Sequence, residues 1–374
     1  MTIRALDLAA PAVRSLSPYV PGKPISELER EYGVTDSIKL ASNENPLGPG
    51  PKALAAIQSA VGDLGLYPDG NGFALKQALM RHHRCPMESI TLGNGSNELL
   101  VMIAEAFLTP AVSAVYSQYA FAIYAIATHA TGAMKRVAPA YPEGHRMALG
   151  HDLDAMRDLV DADTRLVFIA NPNNPTGTWL EAGPLRRFIE SMPPHVLVVV
   201  DEAYRQYASV PDYPDVAEWV ADMPNLIVSR TFSKAYGLAG LRVGYALSSP
   251  EVADVLNRVR QAFNVNSLAL AAAEAALGDE AHLARTVELN RAGMAQLQDA
   301  FSRLQMRQYP SACNFLLVDC GKPAGPVYEA LLRRGVIVRP VGGYGLPNHL
   351  RITIGTAEQN ERMIAGFRDI LQGS

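Results

Sequence analysis

The sequence predicts an α/β protein whose ligand site lies along one rim of a mostly parallel sheet. Three observations lead there. The run 196–200 is five apolar residues, four of them β-branched, and it reads as a buried strand that ends on Asp201. A second apolar run, 226–228, ends in Ser229-Arg230-Thr231 and delivers Ser233 and Lys234 to a loop. A short strand, 89–92, passes through Gly93-Asn94-Gly95-Ser96 into helical spacing over 97–107. Open α/β sheets bind ligands at the carboxyl ends of their strands, so one rim would gather a carboxylate, hydroxyls, an amine and, from Arg242, a guanidinium.

That set is what pyridoxal 5'-phosphate requires. A lysine forms a Schiff base with the aldehyde, an acid keeps the pyridine nitrogen protonated, and donors hold the phosphate. Lys234, Asp201 and the group Thr231, Ser233 and Arg242 fit these roles in turn. Taken singly, each is an ordinary polar residue; it is their order that carries the argument. Asp201-Glu202-Ala203-Tyr204, followed by Ser229-Arg230-Thr231-Phe232-Ser233-Lys234-Ala235-Tyr236-Gly237 and on through Arg242 to Tyr245, closely resembles the fold-type I pyridoxal-phosphate aminotransferases. Within them it resembles the histidinol-phosphate aminotransferases, and the likeness runs from Tyr19 to about Thr356. The resemblance implies a large domain with a mostly parallel seven-stranded sheet flanked by helices, plus a small α+β domain. It also implies a homodimer that moves an amino group from L-histidinol phosphate to 2-oxoglutarate in histidine biosynthesis.

The elements follow in chain order. Residues 1–40 combine Pro18, Pro21, Gly22 and Pro24 with a helical pattern over 25–32 and read as an arm, which cannot build a core of its own. The resemblance packs this arm with the small domain and brings Tyr19 to the substrate. Ser42-Asn43-Glu44-Asn45-Pro46 is turn-forming, and Asn43 is expected beside the substrate. In Tyr67-Pro68-Asp69-Gly70 the family's tyrosine reaches the cofactor phosphate of the neighbouring subunit. The strand, glycine turn and helix at 89–107 form an anion cradle, because free amides and the positive end of the helix dipole both favour phosphate. Gly95, Ser96 and Asn97 are its expected contacts. The family usually has Asp at 97, and a backbone contact would survive that change.

Residues 114–116 read as a strand and 117–130 as a helix. Tyr119 matches the family aromatic that stacks on the pyridine, while Tyr116, Phe121 and Tyr124 read as core. The strand 165–169 opens into Asn171-Pro172-Asn173-Asn174-Pro175-Thr176-Gly177, a turn by composition. In the family, Asn174 and Tyr204 donate to the phenolic oxygen of the cofactor from two sides, which favours its anionic form. A strand at 243–247 and a helix over 250–263 with Pro250 in its first turn follow. The family often has proline where Ala262 stands. Helix, strand, helix, strand, strand and helix then alternate over 283–303, 314–318, 326–334, 336–338, 350–354 and from 357. The expected division is thus an arm at 1–40, a large cofactor-binding domain at 41–280 and a small domain at 281–374. Arg351 matches the arginine that clamps the acidic end of substrates, with Arg339 assisting, since a planar fork suits carboxylate and phosphate alike.

Composition sets outer bounds. The net charge of −4 comes without a basic block, which argues against nucleic-acid or membrane-surface partners. Cys85, Cys313 and Cys320 have neither zinc spacing nor the even count of a disulfide scaffold. No signal-peptide pattern opens the sequence and the Ala-rich run 267–278 is too short to span a bilayer, so the expected compartment is the cytoplasm. The competing readings are an aromatic amino acid aminotransferase of the same branch, a pyridoxal-phosphate decarboxylase of threonine phosphate, and a cofactor-binding regulator without turnover. A nicotinamide dehydrogenase is disfavoured because Gly93-Asn94-Gly95 lacks the full glycine fingerprint.

Overall fold

The computed structural model describes residues 4–18 and 21–372, so Tyr19 lies outside the described residues. A short strand, β1 (Ile38–Lys39), precedes the main sheet of β2 (Ile90–Gly93), β3 (Ser113–Ser117), β4 (Met134–Ala138), β5 (Thr164–Ala170), β6 (Leu197–Asp201), β7 (Leu226–Thr231) and β8 (Gly244–Leu247). These seven strands are ordered β2-β8-β7-β6-β5-β3-β4. β8 is antiparallel to both neighbours and every other pair is parallel. This is the mostly parallel, helix-flanked sheet that the sequence predicts.

Alternation along the strands explains why the runs are apolar throughout. Successive side chains point to opposite faces, and helices cover both. Val198 and Val200 of β6 join a core with Leu185, Phe188 and Ile189 of helix Ala182–Glu190. Val199 joins the opposite core with Leu99 and Ile103 of helix Ser96–Phe107. Each such buried side chain contributes roughly 1.5–3 kcal/mol relative to exposure. The Ala-rich run forms helix Ser267–Leu277, whose small residues Ala269, Ala272 and Ala273 let it lie close against helix Pro51–Ala60.

The C-terminal residues form β9 (Arg307–Gln308), β10 (Phe315–Asp319), β11 (Val336–Ile337), β12 (Arg339–Pro340) and β13 (His349–Thr353). An antiparallel sheet runs β12-β13-β10-β9, and β11 pairs in parallel with β1. Phe301 and Phe367 meet edge to face at 5.2 Å in the core beneath, beside Leu297, Leu316 and Leu331. Leu28 of helix Ile25–Tyr32 packs with Leu332 and Ile337, fastening this part of the N-terminal segment to the C-terminal unit.

Two elements differ from expectation. The helix expected from residue 117 begins at Ala122. Ser117 still belongs to β3, and the Gln118 amide donates to Ala138 O at 2.8 Å rather than entering a helical turn. The helix expected to reach Phe263 ends at Val259. Arg260 leaves it in extended backbone, with its guanidinium donating to Gly70 O, Asn257 and Asn264. Among the described residues no helix is long and apolar enough to cross a membrane.

Candidate active site

The carboxyl ends of β5, β6 and β7 open on a cavity of about 280 Å³. Asp201 is the last residue of β6, Thr231 the last of β7, and the turn after β5 supplies Asn174. The C-terminal unit supplies Arg339 and Arg351 from adjacent antiparallel strands, where the two residues are directly paired.

Lys234 is held by a tight loop. Phe232 N donates to Val243 O at 3.1 Å and Gly237 N to Lys234 O at 3.0 Å. Gly237 has a φ of +71°, and a Cβ there would lie 2.1 Å from Gly48 O, so only glycine closes this turn. The Lys234 Nζ donates to Ser42 O at 2.9 Å. Burial brings its pKa down to about 8, and the nearby Arg351 guanidinium acts in the same direction.

Asp201 is 5% exposed. Its Oδ2 accepts from the Tyr124 hydroxyl at 3.0 Å and its Oδ1 from Ala203 N at 3.2 Å. Among the described residues it has no ion-pair partner, and burial raises its pKa to about 6. A buried carboxylate at a cavity wall without a cation fits a ligand that brings one, such as a protonated ring nitrogen.

Two donors face the cavity by default. Asn43 Nδ2 donates to Tyr204 Oη at 2.8 Å, which leaves the Tyr204 hydroxyl proton free to be given elsewhere. Arg351 Nη1 donates to Asn174 Oδ1 at 2.5 Å, which leaves the amide nitrogen of Asn174 as the group still to be satisfied. Arg351 also donates to Ala41 O at 2.7 Å and lies over the Phe315 ring. It is buried, and its Nε has no hydrogen-bond partner among the described residues.

The opposite requirement, an anion seat, is met by helix Ser96–Phe107. Gly95 caps it with a φ of +81°, and a Cβ there would lie 2.4 Å from Arg242 Nη2. Ser96 and Asn97, at the positive end of this helix, line the cavity with Thr231, Ser233 and Arg242. Arg242 Nη1 donates to Ser233 Oγ at 3.4 Å. Amides, hydroxyls and a guanidinium together can hold a phosphate dianion.

Most of the expected site residues therefore meet in one cavity; Gly95 caps the helix beside it without lining it, and Tyr119 and Tyr67 lie away from it. Tyr119 is not part of its wall. The strand and turn that delay the helix leave Tyr119 packed, partly buried, against the cluster of Ala148, Leu149 and Tyr309, and Phe121 lines the cavity instead. Tyr116 and Tyr124 are buried in the core as expected, although the Tyr124 hydroxyl also reaches Asp201; Phe121 packs against that core and differs from expectation in lining the cavity. The spacing of three between Phe121 and Tyr124 on a helix that starts beside strand ends was the available signal. Tyr67 also lies off the cavity: its ring is 83% exposed and stacks on Phe263 at 4.8 Å.

The chain has clear relatives. A model of the family described as aminotransferase class I and II matches residues 35–367. Histidinol-phosphate aminotransferase 2 of Pseudomonas fluorescens (strain Pf0-1) is 58% identical over 368 residues, covering 98% of each chain. Histidinol-phosphate aminotransferase 2 of Methylococcus capsulatus is 56% identical over 364 residues, covering 97% of this chain and 98% of its own. Among solved structures, histidinol-phosphate aminotransferase from Sinorhizobium meliloti in complex with pyridoxal 5'-phosphate matches with a TM-score of 0.89 at 31% identity, covering 98% of both chains.

Proposed function

The chain belongs to the class I and II aminotransferases, and from that premise we propose that it transfers the amino group of L-histidinol phosphate to 2-oxoglutarate, giving imidazole acetol phosphate and L-glutamate, in histidine biosynthesis. The cofactor is pyridoxal 5'-phosphate. The observation that carries this reading is a buried carboxylate without a cation, Asp201, and a buried amine of lowered pKa, Lys234, in the walls of one cavity.

When bound, the cofactor supplies an aldehyde and an electron-withdrawing ring that stabilises negative charge at a substrate α-carbon. The residues of the chain do the rest. Asp201 keeps the ring nitrogen protonated, and that cation in turn relieves the cost of burying the carboxylate. Ser96, Asn97, Thr231, Ser233 and Arg242 hold the phosphate, with Gly95 giving Arg242 room to reach it. Tyr204 and Asn174 donate to the phenolic oxygen, and Phe121, in place of Tyr119, supplies the aromatic wall. Lys234 would hold the cofactor by its aldehyde, and its amine, when free, would serve to move the proton at the donor's α-carbon. A pKa of about 8 suits that work, because an appreciable fraction of the amine is neutral near physiological pH.

Arg351 and Arg339 bind the acidic ends of the two substrates in turn, the phosphate ester and then the dicarboxylate, and Asn43 borders them. Tyr67 completes the neighbouring site in a homodimer. Its exposed ring, near the exposed apolar residues Leu64, Leu66 and Phe73 in sequence, supports such a partner-facing surface. We place the enzyme in the cytoplasm, divided at about residues 40 and 280.

Absorbance of the cofactor-loaded protein, followed after single additions of amino donor, tests the assignment. L-histidinol phosphate is expected to discharge the coenzyme band and 2-oxoglutarate to restore it. Faster reaction with L-phenylalanine, or carbon dioxide release from O-phospho-L-threonine, would replace the reading with one of its rivals.

A further inference from the structure

Tyr124 is fully buried in helix Ala122–Ala130. Its ring lies nearly parallel to Phe168 at 4.9 Å, and Phe121 meets it edge on at 5.9 Å with planes 88° apart. The hydroxyl donates to Asp201 Oδ2, while Ala203 N donates to Oδ1. A carboxylate with one fixed donor on each oxygen cannot rotate without losing both, so its remaining lone pairs keep one heading.

None of the other charged or titratable groups facing Asp201 donates a hydrogen bond to it. Glu202 accepts from Arg230 Nε and Nη2 at 2.8 and 2.7 Å, Lys234 donates to Ser42 O, and Tyr204 accepts from Asn43. Among the described residues, Tyr124 is the one side chain that donates to Asp201. A phenylalanine would fill the same ring space without needing an acceptor, so packing alone does not call for the hydroxyl.

We infer that Tyr124 is a positioning residue for the proposed reaction: its hydroxyl fixes Asp201 towards the coenzyme's ring nitrogen while its ring braces Phe121, the aromatic wall of the same cavity. This rests on the assignment of pyridoxal 5'-phosphate to the cavity. A single side chain then sets the acid and the aromatic surface together.

The test is a double-mutant cycle of Tyr124→Phe and Asp201→Asn on the apoprotein, read by thermal unfolding at pH 5 and pH 8, beside pyridoxal 5'-phosphate titrations of the wild type and Y124F. Y124F is expected to lower the unfolding temperature more in the wild-type than in the D201N background, with the larger difference at pH 8, where the carboxylate is ionised. It is also expected to weaken coenzyme binding about tenfold, the effect of losing one hydrogen bond to a charged group. Equal losses in both backgrounds at both pH values, with unchanged coenzyme affinity, would overturn the inference. Failure of the wild type itself to take up the coenzyme would instead overturn the assignment beneath it, since the cycle does not depend on coenzyme.

Discussion

Arg351 of β13 donates to Asn174 at 2.5 Å, so the arginine proposed to bind substrate touches the amide proposed to bind cofactor. Asn174 lies in the turn after β5 and Arg351 in a strand of the C-terminal sheet, and the hydrogen bond joins them across the cavity rim. Occupation of the guanidinium by an anionic substrate would therefore bear on the orientation of the amide proposed to contact the coenzyme.

Substituting Arg351→Lys tests that double duty. A lysine keeps the charge but cannot serve Asn174, Ala41 O and a substrate oxygen with one planar fork. Steady-state kinetics are expected to show kcat/KM for both substrates reduced by about 100-fold or more, on the order of two charge-assisted hydrogen bonds. Wild-type kinetics would remove Arg351 from the site.

Asp201→Asn should trade activity for stability. The folded pKa of Asp201 lies above its ordinary value of 3.8, at about 6. Its ionised form therefore costs stability: the cost is absent below the ordinary value, grows as pH rises towards 6 and is constant above. The D201N apoprotein is expected to be more stable than wild type at pH 8 by about 1–3 kcal/mol, with the gap closing as pH falls through 6 to 4. Thermal unfolding across that range measures it, and turnover should fall because the ring nitrogen loses its counter-ion. A destabilised variant at pH 8 would mean that Asp201 has a cation partner in the apoprotein.

Gly95→Ala places a methyl group against Arg242 and strains a left-handed backbone position. Arg242 is exposed, so its tip can move aside and folding should survive. Coenzyme binding is expected to weaken by about 10- to 100-fold, because the phosphate loses its guanidinium contact. Equilibrium titration of the apoprotein checks this, and unchanged affinity would place the phosphate elsewhere.

Tyr67 can be tested by complementation. Lys234→Ala and Tyr67→Ala are each expected to be impaired, but a mixed dimer carries one site in which both residues are intact. Random reassociation of equal amounts should recover about a quarter of wild-type activity, from half the dimers and one site in each. No recovery beyond the sum of the two variants would show that Tyr67 serves its own subunit or none.

The parts of the site legible in the sequence are those fixed by short-range pattern. An apolar β-branched run ending on Asp201 defines a buried strand terminus, and Gly95 or Gly237 marks a turn that a side chain would block. The spacing of Phe121 and Tyr124 is visible in the sequence, but which aromatic reaches the cavity depends on a helix start set by a contact between Gln118 N and Ala138 O, twenty residues apart. Alternation places Arg351 on one face of β13, but whether that face is covered depends on the Asn174 loop, which is remote in sequence. Strands of two residues, such as β9 and β12, are too short to show any period. Tyr67 is exposed and off the cavity, so the role proposed for it requires a second copy of the chain, which one chain does not display.

The account turns on one covalent tether. Sodium borohydride treatment of the cofactor-loaded protein, followed by proteolysis and mass spectrometry, locates the lysine that carries the coenzyme. The predicted result is a single phosphopyridoxyl group on the peptide containing Lys234. A label on another lysine, such as Lys39 or Lys76, or no label on a protein that still transaminates, would contradict it.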